Sequence, residues 1–171
     1  MKTALVVAFL VAAAAVGYFF LTGKTLVTDR GGGNPRVITP SALAVRQIRS
    51  VVDQLATNGK ESSFAAFVFG PAEDPSNEAK IVNMQYSVEK GVVGLDWVLL
   101  APGNRTDKVK IEAFMRARGH TVMNKDKNGV RYLRVEDQNI SELGTQITKE
   151  VYHLGDNDEM ALFTDKFTWK P

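Results

Sequence analysis

Two histidines and a short acidic run are the residues of this chain best suited to catalysis or metal binding. His120 and His153 are the only histidines, and residues 156–159 read Asp-Asn-Asp-Glu. Imidazole can act as a general base or a metal ligand, and carboxylate oxygens bind hard cations such as Ca²⁺. One hypothesis is therefore an anchored hydrolase-like or metal-dependent enzyme that uses His120, His153 and the acidic loop 156–159.

The surroundings of these residues favour a structural role instead. Both histidines fall at predicted helix ends, where the helix dipole favours a cation. The acidic run lacks the glycine and the distal glutamate of an EF-hand and is typical of a plain acidic turn. The sequence has no cysteine, no serine in a nucleophile elbow and no phosphate-binding glycine loop after a strand. It therefore predicts no catalytic residue, no metal site and no cofactor.

A second group of candidates consists of aromatic and charged side chains in predicted strands. Exposed aromatic and arginine side chains dominate the energy of protein interfaces, so they are the best candidates for binding a partner. Because side chains alternate between the two faces of a strand, only one set can face outward and the rest must belong to the core. The predicted partner-binding residues are Arg131, Tyr132, Arg134, Tyr86, Trp97 and Asp96.

Two features of this group leave alternatives open. Asp96 lies inside an apolar strand, and alternation places it opposite Leu95 and Trp97, on a solvated or groove-lining face. A catalytic carboxyl is the other interpretation, since burial there would perturb its pKa. The basic side chains over residues 125–134 form either a solvated hairpin face or a surface for an acidic partner or anionic lipid headgroups.

The overall charge argues against one class of partner. The chain carries 21 basic and 19 acidic residues, a formal net charge of +2. Nucleic-acid-binding proteins usually show a marked basic excess, so we expect no nucleic-acid partner. A protein partner is expected instead, and the sequence does not identify it.

An uncharged apolar run from Ala4 to Leu21 opens the chain. A helix of this length covers most of a hydrocarbon core of about 30 Å. The run therefore predicts a membrane anchor over residues 1–23 that contacts the membrane through residues 4–22. The small residues at 12–15 leave a cleaved signal peptide as the alternative.

The remaining sequence divides into a linker and a folded domain. Glycines at 31–33 predict a flexible linker over residues 24–37. Residues 38–171 then have the usual length of a single soluble domain. The short Met-Lys leader before the apolar run favours a location of this domain outside the cytoplasm.

Hydrophobic periodicity predicts an α+β domain. The predicted elements are a helix begun by Thr39 and Pro40 and ended by Gly59, strands at 64–69, 81–88 and 92–100, a helix at 107–118, a hairpin of 121–124 and 130–135 with an Asn128-Gly129 turn, a helix from Asp137 to Leu154, and a strand at 160–169. The predicted fold class is thus α+β, with an N-terminal transmembrane helix followed by one domain of antiparallel sheet packed with three helices. The predicted order of that domain is α-β-β-β-α-β-β-α-β.

The stretch from Ser41 to Leu154 resembles the type III secretion chaperone and YbjN-type (TY-Chap-like) fold. The resemblance lies in the succession of elements and in the segments 94–98, Gly-Leu-Asp-Trp-Val, and 128–135, Asn-Gly-Val-Arg-Tyr-Leu-Arg-Val. It implies a concave sheet and a chaperone-like adaptor that binds proteins without catalysis. The resulting hypothesis is a membrane-tethered, non-enzymatic domain that binds a protein partner through its sheet or an exposed strand edge.

Overall fold

The computed structural model describes residues 41–71 and 77–171 and two short strands that precede them. The strands are β1 (Leu26–Thr28), β2 (Arg36–Ile38), β3 (Ser41–Ala44), β4 (Phe64–Phe69), β5 (Val82–Glu89), β6 (Val92–Val98), β7 (Met123–Lys127), β8 (Val130–Val135) and β9 (Glu159–Asp165). The helices are α1 (Ile48–Asn58), α2 (Pro102–Thr106), α3 (Lys108–Ala117) and α4 (Ile140–Gln146). Short 3₁₀ turns cover Val45–Gln47 and Glu78–Lys80, and a π-helical turn over Ile147–Val151 continues α4.

Strands β3 to β9 form one seven-stranded antiparallel sheet in the order β3-β9-β4-β5-β6-β8-β7. The consecutive strands β4, β5 and β6 form the predicted meander. The β7–β8 hairpin extends the meander on one side, while β9 and β3 extend it on the other. Strands β3 and β7 are therefore the two edges. Strands β1 and β2 pair with each other in the range predicted as a linker, except that Ile38 of β2 lies one residue beyond it.

The helices pack on one face of this sheet. Apolar residues of α1, α3 and α4 join the even-numbered side chains of β5 in a single buried cluster. All six residues of β4 are buried, because this strand lies inside the sheet and carries apolar side chains on both faces. The opposite face holds a second, smaller apolar cluster around Phe64, Val68 and Phe163. The prediction of an α+β domain is therefore confirmed.

The predicted first helix begins too early. Residues 39 and 40, on which its start was based, lie outside the described residues. Ser41–Ala44 form the edge strand β3 instead, with Leu43 opposite Met160 of β9. Pairing with a strand from the far end of the domain is a tertiary interaction, and it overrides the local helix signal. The predicted end is confirmed, because the Gly59 N–H donates to the Leu55 carbonyl at 2.8 Å after α1.

The predicted second helix corresponds to α3, but a separate short helix, α2, precedes it and was not predicted. Pro102 occupies the first turn of α2, where its missing N–H leaves no helical bond unmade. The buried Asn104 side chain accepts from the Asn83 N–H and donates to the Asn83 carbonyl, both at 2.8 Å. These two bonds fix α2 against β5. Periodicity does not report such contacts, which explains why α2 was not predicted.

The predicted fold class is wrong in its helices. From Ser41 onward the order is β-α-β-β-β-α-α-β-β-α-β, with four α-helices in the described part of the chain and not three. No helix among the described residues is long and apolar enough to cross a membrane. The apolar residues 4–22 lie outside the described residues.

Candidate functional site

A buried ion pair joins β6 and β8 on the sheet face opposite the helices. Arg134 of β8 and Asp96 of β6 are register partners, and neither side chain is exposed. The Arg134 Nη1 donates to Asp96 Oδ1 at 2.7 Å. The Ser87 hydroxyl donates to Asp96 Oδ2 at 2.5 Å and accepts from Arg134 Nη1 at 3.0 Å. This triad satisfies both charges within the protein, as buried charges require.

Two further carboxylates lie beside Arg134. Glu136 accepts from Arg134 Nε at 2.5 Å, and a Glu89 oxygen lies 3.7 Å from the same nitrogen. Glu89 also accepts from the Tyr132 hydroxyl at 3.0 Å and pairs with Lys127 at 3.2 Å. The network therefore links β5, β6, β8 and β7. These contacts hold four neighbouring strands of the sheet together.

Gly94 provides the space for the Arg134 guanidinium. A Cβ built on Gly94 would lie 2.5 Å from Arg134 Cζ, far inside a normal contact distance. Any larger residue at position 94 would therefore displace the guanidinium from Asp96. The Gly94-Leu95-Asp96-Trp97 segment thus combines the space for the arginine with its counter-ion.

Burial controls the titration of Asp96. Removal of this carboxyl from water raises its pKa to about 7, although Arg134 and the Ser87 hydroxyl act in the opposite direction. For Arg134, burial lowers the pKa, but the Asp96, Glu136 and Glu89 carboxylates together outweigh that effect, so the pKa lies above its ordinary value. We therefore expect Arg134 to remain charged while Asp96 titrates near neutral pH.

The titration of Asp96 predicts a pH-dependent stability. Because its folded pKa lies above the ordinary value of 3.8, the unfolded chain loses this proton first as pH rises. The stabilisation from the neutral carboxyl is full below about pH 4 and is lost as pH rises through about 7. The free energy of unfolding, measured by urea titration from about pH 5 to about pH 7.5, should fall more steeply in the wild type than in Asp96→Asn. Equal slopes would contradict this assignment.

Four of the six predicted binding residues are fully buried. Tyr86 and Trp97 belong to the core under the helices, where the Tyr86 hydroxyl donates to the Ile140 carbonyl at 2.9 Å. The Trp97 indole N–H donates to the Asn104 carbonyl at 3.0 Å. Asp96 lies on the face predicted for it, opposite Trp97, but the predicted solvation is wrong because Asp96 is completely buried. Arg134, the fourth, is its ion-pair partner.

The other two predicted residues, Arg131 and Tyr132, come together at the β7 end of the sheet. Arg131 is exposed, whereas Tyr132 is buried, with a relative exposure of 3%. Both line a cavity of about 390 Å³. Arg105 and Lys108, from the α2–α3 junction, line its opposite wall. Lys125 of β7 supplies a further cation, and Asp126 the one carboxylate among the cavity-lining residues. We call this cavity the basic cleft.

The four cations of the basic cleft have no counter-ion in the described part of the chain. The ion pairs found there join other residues, such as Lys127 with Glu89 and Arg118 with Glu150. The Asp126 carboxylate accepts from the Gly129 N–H at 3.0 Å, within the hairpin turn. The cleft is therefore a local concentration of positive charge on a chain whose net charge is close to balanced.

Strand β7 borders the basic cleft and has β8 as its only strand neighbour among the described residues. The predicted Asn128-Gly129 turn is confirmed, with φ of 57° and 83°, and Lys127 is the partner of Val130. Residues that flank a two-residue turn, here Lys127 and Val130, exchange backbone hydrogen bonds. Along an antiparallel pair, hydrogen-bonded and non-hydrogen-bonded positions then alternate, so the next residue of β7 that bonds β8 is Lys125. The backbone N–H and C=O groups of Asn124 and Asp126 consequently point away from β8.

The histidines and the acidic loop do not come together. His120 Nδ1 lies 3.5 Å from Asp137 Oδ2 in a separate cavity of about 480 Å³, which neither His153 nor residues 156–159 line. Asp156 pairs with Lys149 at 2.5 Å, and Asp158 accepts from the Gly155 N–H at 2.8 Å. The described residues contain no group of three or more histidine and carboxylate side chains arranged to hold a metal ion.

Sequence reasoning missed half of the basic cleft. Arg105 and Lys108 were not singled out, because they precede and begin the predicted second helix and show no spacing relation to Lys125 or Arg131. Only the fold of α2 against β5 brings them to the hairpin. The local excess of lysine and arginine over 125–134 was the one available signal, and it located the other wall.

Comparison with family models, with curated proteins and with solved structures finds no match for this chain. Its site is therefore defined by its own geometry. Two features remain for a functional proposal: an edge strand with outward backbone groups, and beside it a cleft whose lining carries more positive than negative side chains.

Proposed function

We propose that this domain is a non-enzymatic protein-binding module that takes up an extended segment of a partner protein along β7. The outward backbone groups of Asn124 and Asp126 carry this proposal. Each offers one N–H donor and one C=O acceptor at an edge, which is the arrangement that an added strand completes. Main-chain hydrogen bonds of this kind give affinity for many sequences, as a chaperone-like adaptor needs.

The charges of β7 support a foreign segment over a second copy of the same strand. Lys125 and Lys127 lie on β7 with the single carboxylate of Asp126. Two copies of β7 paired edge to edge would bring these lysines close together, and lysines on edge strands oppose such self-association. A segment of different composition does not meet this repulsion.

The resemblance to type III secretion chaperones and YbjN-type proteins belongs to the same proposal. The succession of α1, the meander, α3, the hairpin and α4 is the part of the fold on which that resemblance rests. Strands β3 and β9 and helix α2 are additions to it. Proteins of that group are expected to act as adaptors, which agrees with strand capture and with the dispersed positions of His120 and His153.

Substitution of Asn124 by proline tests strand capture. Proline removes an outward N–H and leaves the bonds between β7 and β8 intact, so it is compatible with an edge strand. We expect peptides selected from a random library against the full-length chain to bind Asn124→Pro at least about tenfold more weakly than the wild type, a difference of about 1.4 kcal/mol.

Asn124→Ala is the matched control, because it removes the same side chain and keeps the N–H. This variant should retain the affinity of the wild type, and circular dichroism should show that both variants are folded. Equal binding of the selected peptides by Asn124→Pro and Asn124→Ala would rule out pairing along β7.

A further inference from the structure

We infer that the segment bound along β7 is acidic, with carboxylate side chains that enter the basic cleft. This inference rests on the proposed strand capture and names the chemistry of the partner. The edge and the cleft share residues: Asn124, Lys125 and Asp126 belong to β7 and also line the cleft. A strand added to β7 therefore runs along the mouth of the cleft.

Strand geometry brings alternate side chains of the added segment to the cleft. Neighbouring strands lie about 4.8 Å apart, and side chains at opposed positions have Cβ atoms about 5 Å apart. Every second side chain of the segment would then lie beside Asn124 and Asp126, on the sheet face from which Arg131 projects. Arg105 and Lys108 form the far wall of the same cavity.

The charge of the cleft determines which side chains fit. Arg105, Lys108 and Arg131 line the cavity on the helix side of the sheet, whereas Lys125, the register partner of Tyr132, borders it from the opposite face of β7. No described carboxylate forms an ion pair with any of these four cations. Like charges held together repel one another, so an anion in the cleft removes an unfavourable interaction as well as forming new contacts. Arginine fits carboxylates particularly well, because its planar guanidinium can donate two parallel hydrogen bonds to the two oxygens.

Two other charged residues of β7, Lys127 and Asp126, already have partners within the domain. Lys127, also on β7, pairs with Glu89 at 3.2 Å and takes no part in lining the cleft. Asp126 does line the cleft, but its Oδ1 accepts from the Gly129 N–H. Asp126 keeps its charge and lies opposite Arg131, so the four cations and one carboxylate that line the cleft leave a formal net charge of +3.

The form of the site favours a peptide over other polyanions. A nucleic acid would need a basic surface that follows several phosphates. This chain has nearly equal numbers of basic and acidic residues, 21 and 19, and a formal net charge of only +2. The basic cleft is a single cavity beside a strand edge. Backbone pairing and alternate carboxylates together describe an extended acidic segment of a protein.

Paired peptides test the charge requirement with the full-length chain. One labelled peptide of about nine residues alternates threonine and glutamate, and its control alternates threonine and glutamine. In fluorescence anisotropy at about 0.05 M salt, we expect the glutamate peptide to bind at least about tenfold more tightly. The difference should shrink at about 0.5 M salt, because salt screens partly exposed charges.

Charge reversal locates the interaction. Arg131→Glu and Arg105→Glu should each remove most of the preference for the glutamate peptide. Lys60→Glu makes the same change of charge at an exposed position away from the cleft and should leave the preference unchanged. Circular dichroism confirms that each variant is folded.

The outcomes separate this inference from the strand capture on which it rests. If both peptides bind equally and Asn124→Pro weakens both, the acidic specificity is wrong and strand capture stands. If the glutamate peptide binds Asn124→Pro as tightly as it binds the wild type, the cleft binds anions without strand pairing, and the inference fails with the proposed function. Binding of phosphatidylserine vesicles without either peptide would also overturn it, in favour of a lipid surface.

Discussion

Arg134→Met is expected to lower the free energy of unfolding by about 3–5 kcal/mol above about pH 8, where Asp96, whose pKa burial raises to about 7, is ionised in the wild type. The side chain of Arg134 is fully buried and supplies the counter-charge of Asp96 at 2.7 Å. Methionine fills a similar volume but leaves the carboxylate with the Ser87 hydroxyl as its remaining side-chain partner. Urea denaturation followed by tryptophan fluorescence measures the loss.

Two controls distinguish an unpaired charge from a packing defect. The penalty should be smaller near pH 5, where Asp96 becomes neutral, because a protonated carboxyl does not need the arginine. The double variant Arg134→Met, Asp96→Leu should regain at least about 2 kcal/mol, since replacing a buried ion pair by apolar residues is often nearly neutral. A penalty independent of pH and not relieved by the second substitution would indicate lost packing instead.

Gly144→Ala is expected to destabilise the domain by about 3 kcal/mol, at the upper end of the usual cost of overpacking. A Cβ at this position of α4 would overlap the Tyr86 hydroxyl oxygen and lie 3.0 Å from Tyr86 Cζ. Alanine favours a helix over glycine by about 1 kcal/mol, so the sign of the effect depends on this contact. Chemical denaturation again gives the free energy.

Tyr86→Phe provides the compensating change. It removes the oxygen that the new methyl group would meet and loses the hydrogen bond to the Ile140 carbonyl, at a cost of about 1 kcal/mol alone. In the double variant the loss should be well below the sum of the two single losses, because both changes act on one contact. Additive losses would mean that α4 does not approach β5 as closely as described.

Local signals predicted the elements whose formation depends on local interactions. The Asn128-Gly129 turn was predictable because a two-residue hairpin needs positive φ at both positions, and these residues adopt it readily. The end of α1 was predictable from Gly59, and the strand at Phe64–Phe69 from a short apolar run that Gly70 and Pro71 end. Each of these depends on a few consecutive residues.

The elements that were missed depend on distant partners. Ser41–Ala44 became a strand because Met160 and its neighbours are there to pair with them, and α2 formed where Asn104 reaches Asn83. The sequence also placed Asp96 on the correct face without revealing that Arg134 is its register partner. Alternation along one strand reports the face of a residue, whereas burial and pairing depend on which strand lies beside it.

The position of β9 has a consequence during synthesis of the chain. β9 lies between β3 and β4 and pairs with both. Its Glu159 is the register partner of Ala44 in β3, and its Leu162 is the register partner of Phe67 in β4. Until the ribosome has made β9, the buried strand β4 presents an open apolar edge in the nascent chain. Contacts between residues so far apart in sequence form slowly, and exposed strand edges promote aggregation. Folding of this domain is therefore completed after translation of its last strand, and during that interval the chain itself needs protection.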